Sequence, residues 1–347
     1  MSSAGGDRDG NTENTNNFPV AAIEYSGQGS LTASSNQPRQ PENLLDLLRY
    51  SYEATGNSSL TDPLPMDDER RKWLENALKH LTVDVIEMLL KSIEVLKKAG
   101  TLELQDDPTE CERALEVIAD WVDNLDTAND FYKIGGFVIF RPCLDSAHSS
   151  LRWRAAEIIA ELTQNNPFCQ EKILEAGLLP PLLALLDSDP NEQVRVKALY
   201  GISCLVRENP LALDAFMKNG GFSVLLRAMQ SDIQKLQIKS AFLLSCLCAR
   251  SNNIKDELCQ MGFIEQLVGM VTDYHTPVLE HLLGALVNMA TEHNFSKDEC
   301  RRPELELRPK LIRLINSFKD KEEYRDECEY AQQLLQLVFS GDTEEER

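Results

Sequence analysis

Arg154, Lys197, Lys239 and His281 follow one another at steps of 43, 42 and 42 residues. The same steps pick out Glu157, Tyr200, Phe242 and Gly284, and then Glu161, Cys204, Cys246 and Asn288. Cations beside two large aromatic rings make and break no bonds. They recognise: an ammonium or guanidinium group attracts carboxylates, and Tyr, Phe and Arg are favoured in interface cores. Arg152, Arg195, Lys235 and Arg207 thicken the basic row. Solvated surface is the competing reading of the charges, but it explains Tyr200 and Phe242 poorly.

Bond-making chemistry finds little support elsewhere. His80, His148, His275, His281 and His293 lack the spacing of a metal site, and the nine cysteines include no Cys-x-x-Cys pair. No G-x-S-x-G elbow and no phosphate-cradling glycine motif is present. We therefore expect no enzyme, no metal and no cofactor.

The elements that position the rows follow from the same period. Gly136-Phe137, Gly177-Leu178, Gly221-Phe222 and Gly262-Phe263 each open an apolar run, then a polar turn, then a second helical pattern. In those second helices Leu162, Leu205, Leu247 and Met289 recur at steps of 43, 42 and 42. Core columns read Ala155, Ala198, Ser240, Leu282 and Ile159, Ile202, Leu244, Leu286. A period of this length, built from helices, is the armadillo/HEAT signature. The expected fold is all-α: an armadillo/HEAT-like right-handed α-solenoid with helical caps at both ends. Residues 132–298 hold four repeats, 63–131 an N-terminal cap with a partial repeat, and 299–347 capping helices with an acidic tail. The glycine pairs 135–136 and 220–221 fit turns that need positive φ.

Residues 1–62 are rich in Ser, Gly, Asn and Thr and are expected to be disordered. One exception stands at 43–50, where Leu44, Leu45, Leu47 and Leu48 form a helical stripe. It reads either as a helix packed on the solenoid or as a short binding motif.

A formal net charge of −21 argues against nucleic acid and anionic membranes as partners. The N-terminus lacks an apolar signal region, and singly scattered cysteines suit a reducing compartment. A cytosolic protein is expected, with the nucleus as a further location, and it should be a monomer.

Several runs resemble a known family. They include Leu151-Arg152-Trp153-Arg154-Ala155-Ala156, Val194-Arg195-Val196-Lys197-Ala198-Leu199 and Lys239-Ser240-Ala241-Phe242-Leu243-Leu244. Glu69-Arg70-Arg71-Lys72-Trp73-Leu74 and Glu299-Cys300-Arg301-Arg302-Pro303-Glu304-Leu305 fit as well. Over about 40–340 the chain is similar to the armadillo-type nucleotide-exchange factors that bind 70-kDa heat-shock chaperones, the Fes-type family. The resemblance implies a co-chaperone that wraps its concave face around lobe II of the chaperone's ATPase domain and promotes ADP release. Arg154, Glu157, Arg195, Lys197, Tyr200, Lys239, Phe242, His281 and Asn288 would then be the partner-binding residues. It also implies that residues 43–50 act as a client mimic toward the chaperone's substrate-binding domain. Two rivals remain: an armadillo adaptor for an extended acidic peptide, for which Asn288 alone fits the usual Asn column, and a ubiquitin-ligase regulator.

Overall fold

The computed structural model describes residues 84–340 together with Asp68, Lys72 and Trp73. The chain divides into two units, Met1–Thr82 and Val83–Arg347, and the fold below is that of the second. The leucine stripe at 43–50, the disorder expected over 1–62, most of the first helix and the acidic tail lie outside the described residues.

Asp84 caps the first described helix, α1 (Val85–Leu96), by accepting a hydrogen bond from the Glu87 amide at 3.0 Å. A 3-10 turn and a polar loop lead to α2 (Thr109–Val122), which buries Leu115, Ile118 and Val122. From there the helices come in threes. The first triplet is α3 (Leu125–Lys133), α4 (Phe140–Leu144) and α5 (Ser149–Thr163). The second is α6 (Pro167–Glu175), α7 (Leu179–Ser188) and α8 (Glu192–Val206). The third is α9 (Pro210–Lys218), α10 (Gly221–Met229) and α11 (Gln234–Cys248). Next come α12 (Asn252–Gln260), α13 (Phe263–Met270) and α14 (Leu279–Ala290). The last is α15 (Asn294–Cys300), α16 (Leu307–Phe318) and α17 (Arg325–Phe339), so the C-terminal end keeps the same three-helix order. Residues 132 and 298, where the sequence period sets the repeat limits, fall inside α3 and α15. Among the described residues there is no strand.

A column of caps starts each triplet. The side chains of Asn124, Asn166, Asn209, Ser251 and His293 each accept a backbone N–H from the first turn of the following helix. Such a cap satisfies a donor that the helix cannot, and its loss costs about 1 kcal/mol. Pro167 and Pro210 stand at the first helical position, where no N–H is needed.

The joint after the first helix of each of the first four triplets holds the glycine column. Gly135, Gly177, Gly220 and Gly262 all take positive φ, between 66° and 83°. The second member of each glycine pair serves another purpose, which corrects the sequence reading. Gly221 has no positive φ; a Cβ there would stand 2.4 Å from the ring of Phe216, so glycine lets that ring lie on the backbone. Gly136 meets Phe131 in the same way.

The third helix of each of the first four triplets is flanked by neighbours on both sides and by its own second helix. Ala155, Ala156, Ile158, Ile159, Ala160 and Leu162 of α5 are all buried, leaving a narrow outward strip. The joints between successive third helices are unequal. Gly201 of α8 approaches α5 so closely that a Cβ would sit 3.2 Å from the Ala156 carbonyl oxygen. One period on, the corresponding positions are Leu199 of α8 and Leu243 of α11, and one further they are Ala241 and Ala285. Helices α8 and α11 accordingly run alongside each other over far less of their length than α5 and α8 do.

Candidate functional site

The outward strip of the third helices carries the three rows that the sequence singled out. Because one face of each helix is left free, side chains one turn apart, such as Lys197 and Tyr200, project together.

The first row is less uniformly basic than its composition suggests. Arg154 donates from Nη2 to Glu116 Oε1 at 2.9 Å, and its guanidinium lies 4.3 Å from the centroid of the Trp153 ring. Lys197 pairs with Glu157 of α5. Lys239 is exposed and has no partner among the described residues. The same holds for Lys235, one turn earlier on α11. His281 sets its ring edge-on to Phe242, with centroids 6.0 Å apart.

In the second row Phe242 is 47% exposed, an apolar ring offered to solvent. Tyr200 donates its hydroxyl to Gln164 Oε1 at 2.9 Å, which holds the ring across the face. Gly284, the fourth member, is buried beneath Tyr330.

The third row contains the most perturbed carboxyl on this face. The Glu161 pKa is pushed up to about 7, first by burial and then by the charges of Glu157, Asp123 and Asp120; Lys197 opposes the shift. Its Oε2 is buried without a hydrogen-bond partner. Burial also raises the thiols of Cys204 and Cys246. Asn288 donates from Nδ2 to Ser245 Oγ at 2.8 Å, so its amide is used inside the solenoid.

The structure does not bring Arg195 into the row. Its Nε donates to the Leu186 carbonyl at 2.9 Å, tying α8 to the end of α7. Arg152 is likewise internal: it grips Asp189 with two bonds, at 2.7 and 3.0 Å, and donates to the Ser146 and Ala147 carbonyls. The face thus has an acidic end formed by Glu116, Asp120, Asp123, Glu157 and Glu161, and a cationic middle at Lys235 and Lys239. Between α8 and α11 lies an open groove of about 780 Å³, lined in part by Val196, Lys197, Tyr200, Lys235 and Lys239.

A cysteine nucleophile needs an exposed thiolate, whereas burial drives Cys143, Cys248 and Cys300 up to about 12. Among the described residues no group of His, Cys, Asp and Glu could hold a metal ion, and no helix is long and apolar enough to cross a membrane. Two of the described histidines hold structure: His148 bonds the Glu103 carbonyl at 2.9 Å, and His275 bonds Glu327 at 2.9 Å and stacks on Tyr324.

Sequence reasoning missed Glu116, the partner of Arg154, because α2 lies before the periodic region. It also missed the leucine pair at the α8–α11 joint. Comparing side-chain volumes along neighbouring columns would have found that pair.

Comparison with known proteins agrees with this architecture. Residues 127–337 match the SIL1/FES1/HPBP1 C-terminal domain, and residues 44–131 match the family described as nucleotide exchange factor Fes1. The chain is 41% identical to Hsp70-binding protein 1 of Mus musculus over 328 residues, covering 92% of each chain. It is 31% identical to Hsp70 nucleotide exchange factor FES1 of Coccidioides immitis (strain RS), over 50% of this chain and 82% of that protein. Among solved structures, a designed armadillo repeat protein superposes with a TM-score of 0.58 at 21% identity, covering 72% of this chain and 99% of that one. That last likeness establishes the α-solenoid fold alone. The matched domains and the near full-length identity place the chain in the SIL1/FES1/HPBP1 family.

Proposed function

We propose that this protein is a co-chaperone that binds the ATPase domain of 70-kDa heat-shock chaperones and promotes ADP release. The observation that carries the reading is the identity to Hsp70-binding protein 1, which runs through the periodic region bearing the exposed rows. Lobe II of the ATPase domain would meet the third-helix face, with Lys197, Tyr200, Lys239 and Phe242 at the centre of the contact and Arg154, Glu157 and His281 around it, while Asn288 braces the face from within through its bond to Ser245. Arg195 supports this face through its bond to α7.

No bond-making step is required of the factor. It binds the nucleotide-open conformer of the chaperone better than the ADP-closed one, and so shifts the population. By linkage, ADP and the factor weaken each other's binding by the same ratio. Leu44, Leu45, Leu47 and Leu48 complete the proposal as a client mimic for the substrate-binding domain. A monomer acting in the cytosol fits nine cysteines that carry no disulfide. The peptide-adaptor reading is weakened, because the Asn288 amide is already donated to Ser245.

The test is release of a fluorescent ADP analogue from a purified 70-kDa chaperone, with and without the protein. Saturable acceleration is expected. Replacing Tyr200 and Lys239 together with Ala should abolish it while the circular dichroism stays helical. Unchanged release in that double variant would remove these residues from the contact, and no acceleration by the unaltered protein would overturn the function.

A further inference from the structure

The joint between α8 and α11 differs from its neighbours in a way that the binding rows alone do not require. Where α5 meets α8, Ala156 faces Gly201, and where α11 meets α14 the corresponding positions are Ala241 and Ala285. Between α8 and α11 the corresponding pair is Leu199 and Leu243, both buried. Two leucines in place of two small residues hold the helix axes further apart, since packed interiors transmit volume changes to the backbone. The opening so made is the groove already described.

Its walls are chemically selective. Lys235 and Lys239 sit one turn apart on α11, with Lys197 opposite on α8, itself shared with Glu157. In a chain of 56 acidic and 35 basic residues, two adjacent lysines without a carboxylate partner among the described residues are conspicuous. Val196 and Tyr200 give the groove an apolar and an aromatic surface, and among the described residues Glu192 is its one acidic lining residue. The three ammonium groups are spread along two helices as point charges. Among the described residues no arginine lines the groove to offer the bidentate fork that suits a phosphate. A row of cations along a groove suits a chain segment bearing several carboxylates.

We propose that the α8–α11 joint is a seat for an acidic segment of the protein partner, held open by Leu199 and Leu243 and charged by Lys197, Lys235 and Lys239. As a statement about the chaperone's ATPase domain this rests on the function proposed above; as a statement about the groove it stands apart. Two titrations separate them.

In the first, a fluorescent oligo-glutamate peptide is titrated into the protein and into the Lys235→Glu variant at low and at physiological salt. Binding to the unaltered protein should fall steeply with salt, as an interaction between exposed charges does. It should weaken about ten-fold or more in Lys235→Glu and persist in Lys235→Arg. Equal binding by Lys235→Glu overturns the seat, whatever the chaperone does. In the second, the chaperone's ATPase domain replaces the peptide. Loss of affinity and of salt dependence in Lys235→Glu assigns the acidic segment to that partner. ATPase-domain binding that is unchanged in the variant overturns the assignment of the acidic segment to that domain and leaves the exchange function standing.

Discussion

At the scale of single residues, Glu161 makes the clearest physical statement. Its folded-state pKa of about 7 lies above the ordinary carboxyl value of 4.5. The native protein therefore holds this proton more tightly than the unfolded chain does. Stability from the protonated group is fully present below 4.5 and is lost as pH rises through about 7. Glu161→Gln keeps the shape without the charge, so its melting temperature should exceed that of the unaltered protein by a few degrees at pH 8. At pH 4 the two should coincide. Thermal unfolding followed by circular dichroism at both values checks this, and an equal shift at both would remove the charge as the cause. How legible such residues were depended on where their partners lie. Tyr200 and Phe242 stood out because the period marks the free face of the helix. The neutralisation of Arg154 by Glu116 was not readable, because the carboxylate comes 38 positions earlier on a helix that shares no column with it.

At the scale of elements, the glycine pair 220–221 separates two kinds of need. Gly220 has φ +70 and open space around its missing side chain. Asparagine tolerates that conformation, whereas alanine costs about 1–2 kcal/mol. Gly221 is limited by the Phe216 ring, so any side chain overpacks the site at a cost of about 1–3 kcal/mol. Urea unfolding should thus find Gly220→Asn milder than Gly220→Ala, while Gly221→Asn is at least as damaging as Gly221→Ala. A Gly221→Asn variant as stable as the native chain would disprove the ring argument. The glycine columns were legible because the first four triplets repeat the same backbone need. The short first helices were not: α12, with the sequence NNIKDELCQ, is mostly polar and its apolar stripe is too sparse to announce a helix. Their caps carry a better signal that the sequence reading did not use, an Asn, Ser or His recurring at steps of 42 or 43.

At the scale of the whole described unit, polar links stitch each triplet to the next. Asn166 donates to Asn129 at 3.2 Å, Asn209 to Gln170 at 3.3 Å, and Arg227 reaches Asp187 at 2.7 Å. In a solenoid the total stability is close to a sum of unit terms and nearest-neighbour interfaces. The period therefore made the architecture readable early, since one unit's pattern implies the next. It could not rank the interfaces, because rank depends on pairs of side chains from different units. That ranking has a kinetic face. If the Leu199–Leu243 joint is the thinnest interface, the chain has a natural seam for folding, with the triplets before it and those after it cooperating as separate blocks. Amide hydrogen exchange should then show two plateaus of protection, and the amides of α11 should exchange with the C-terminal block. A single shared exchange rate would mean that the charged links and the apolar core carry cooperativity straight across the seam.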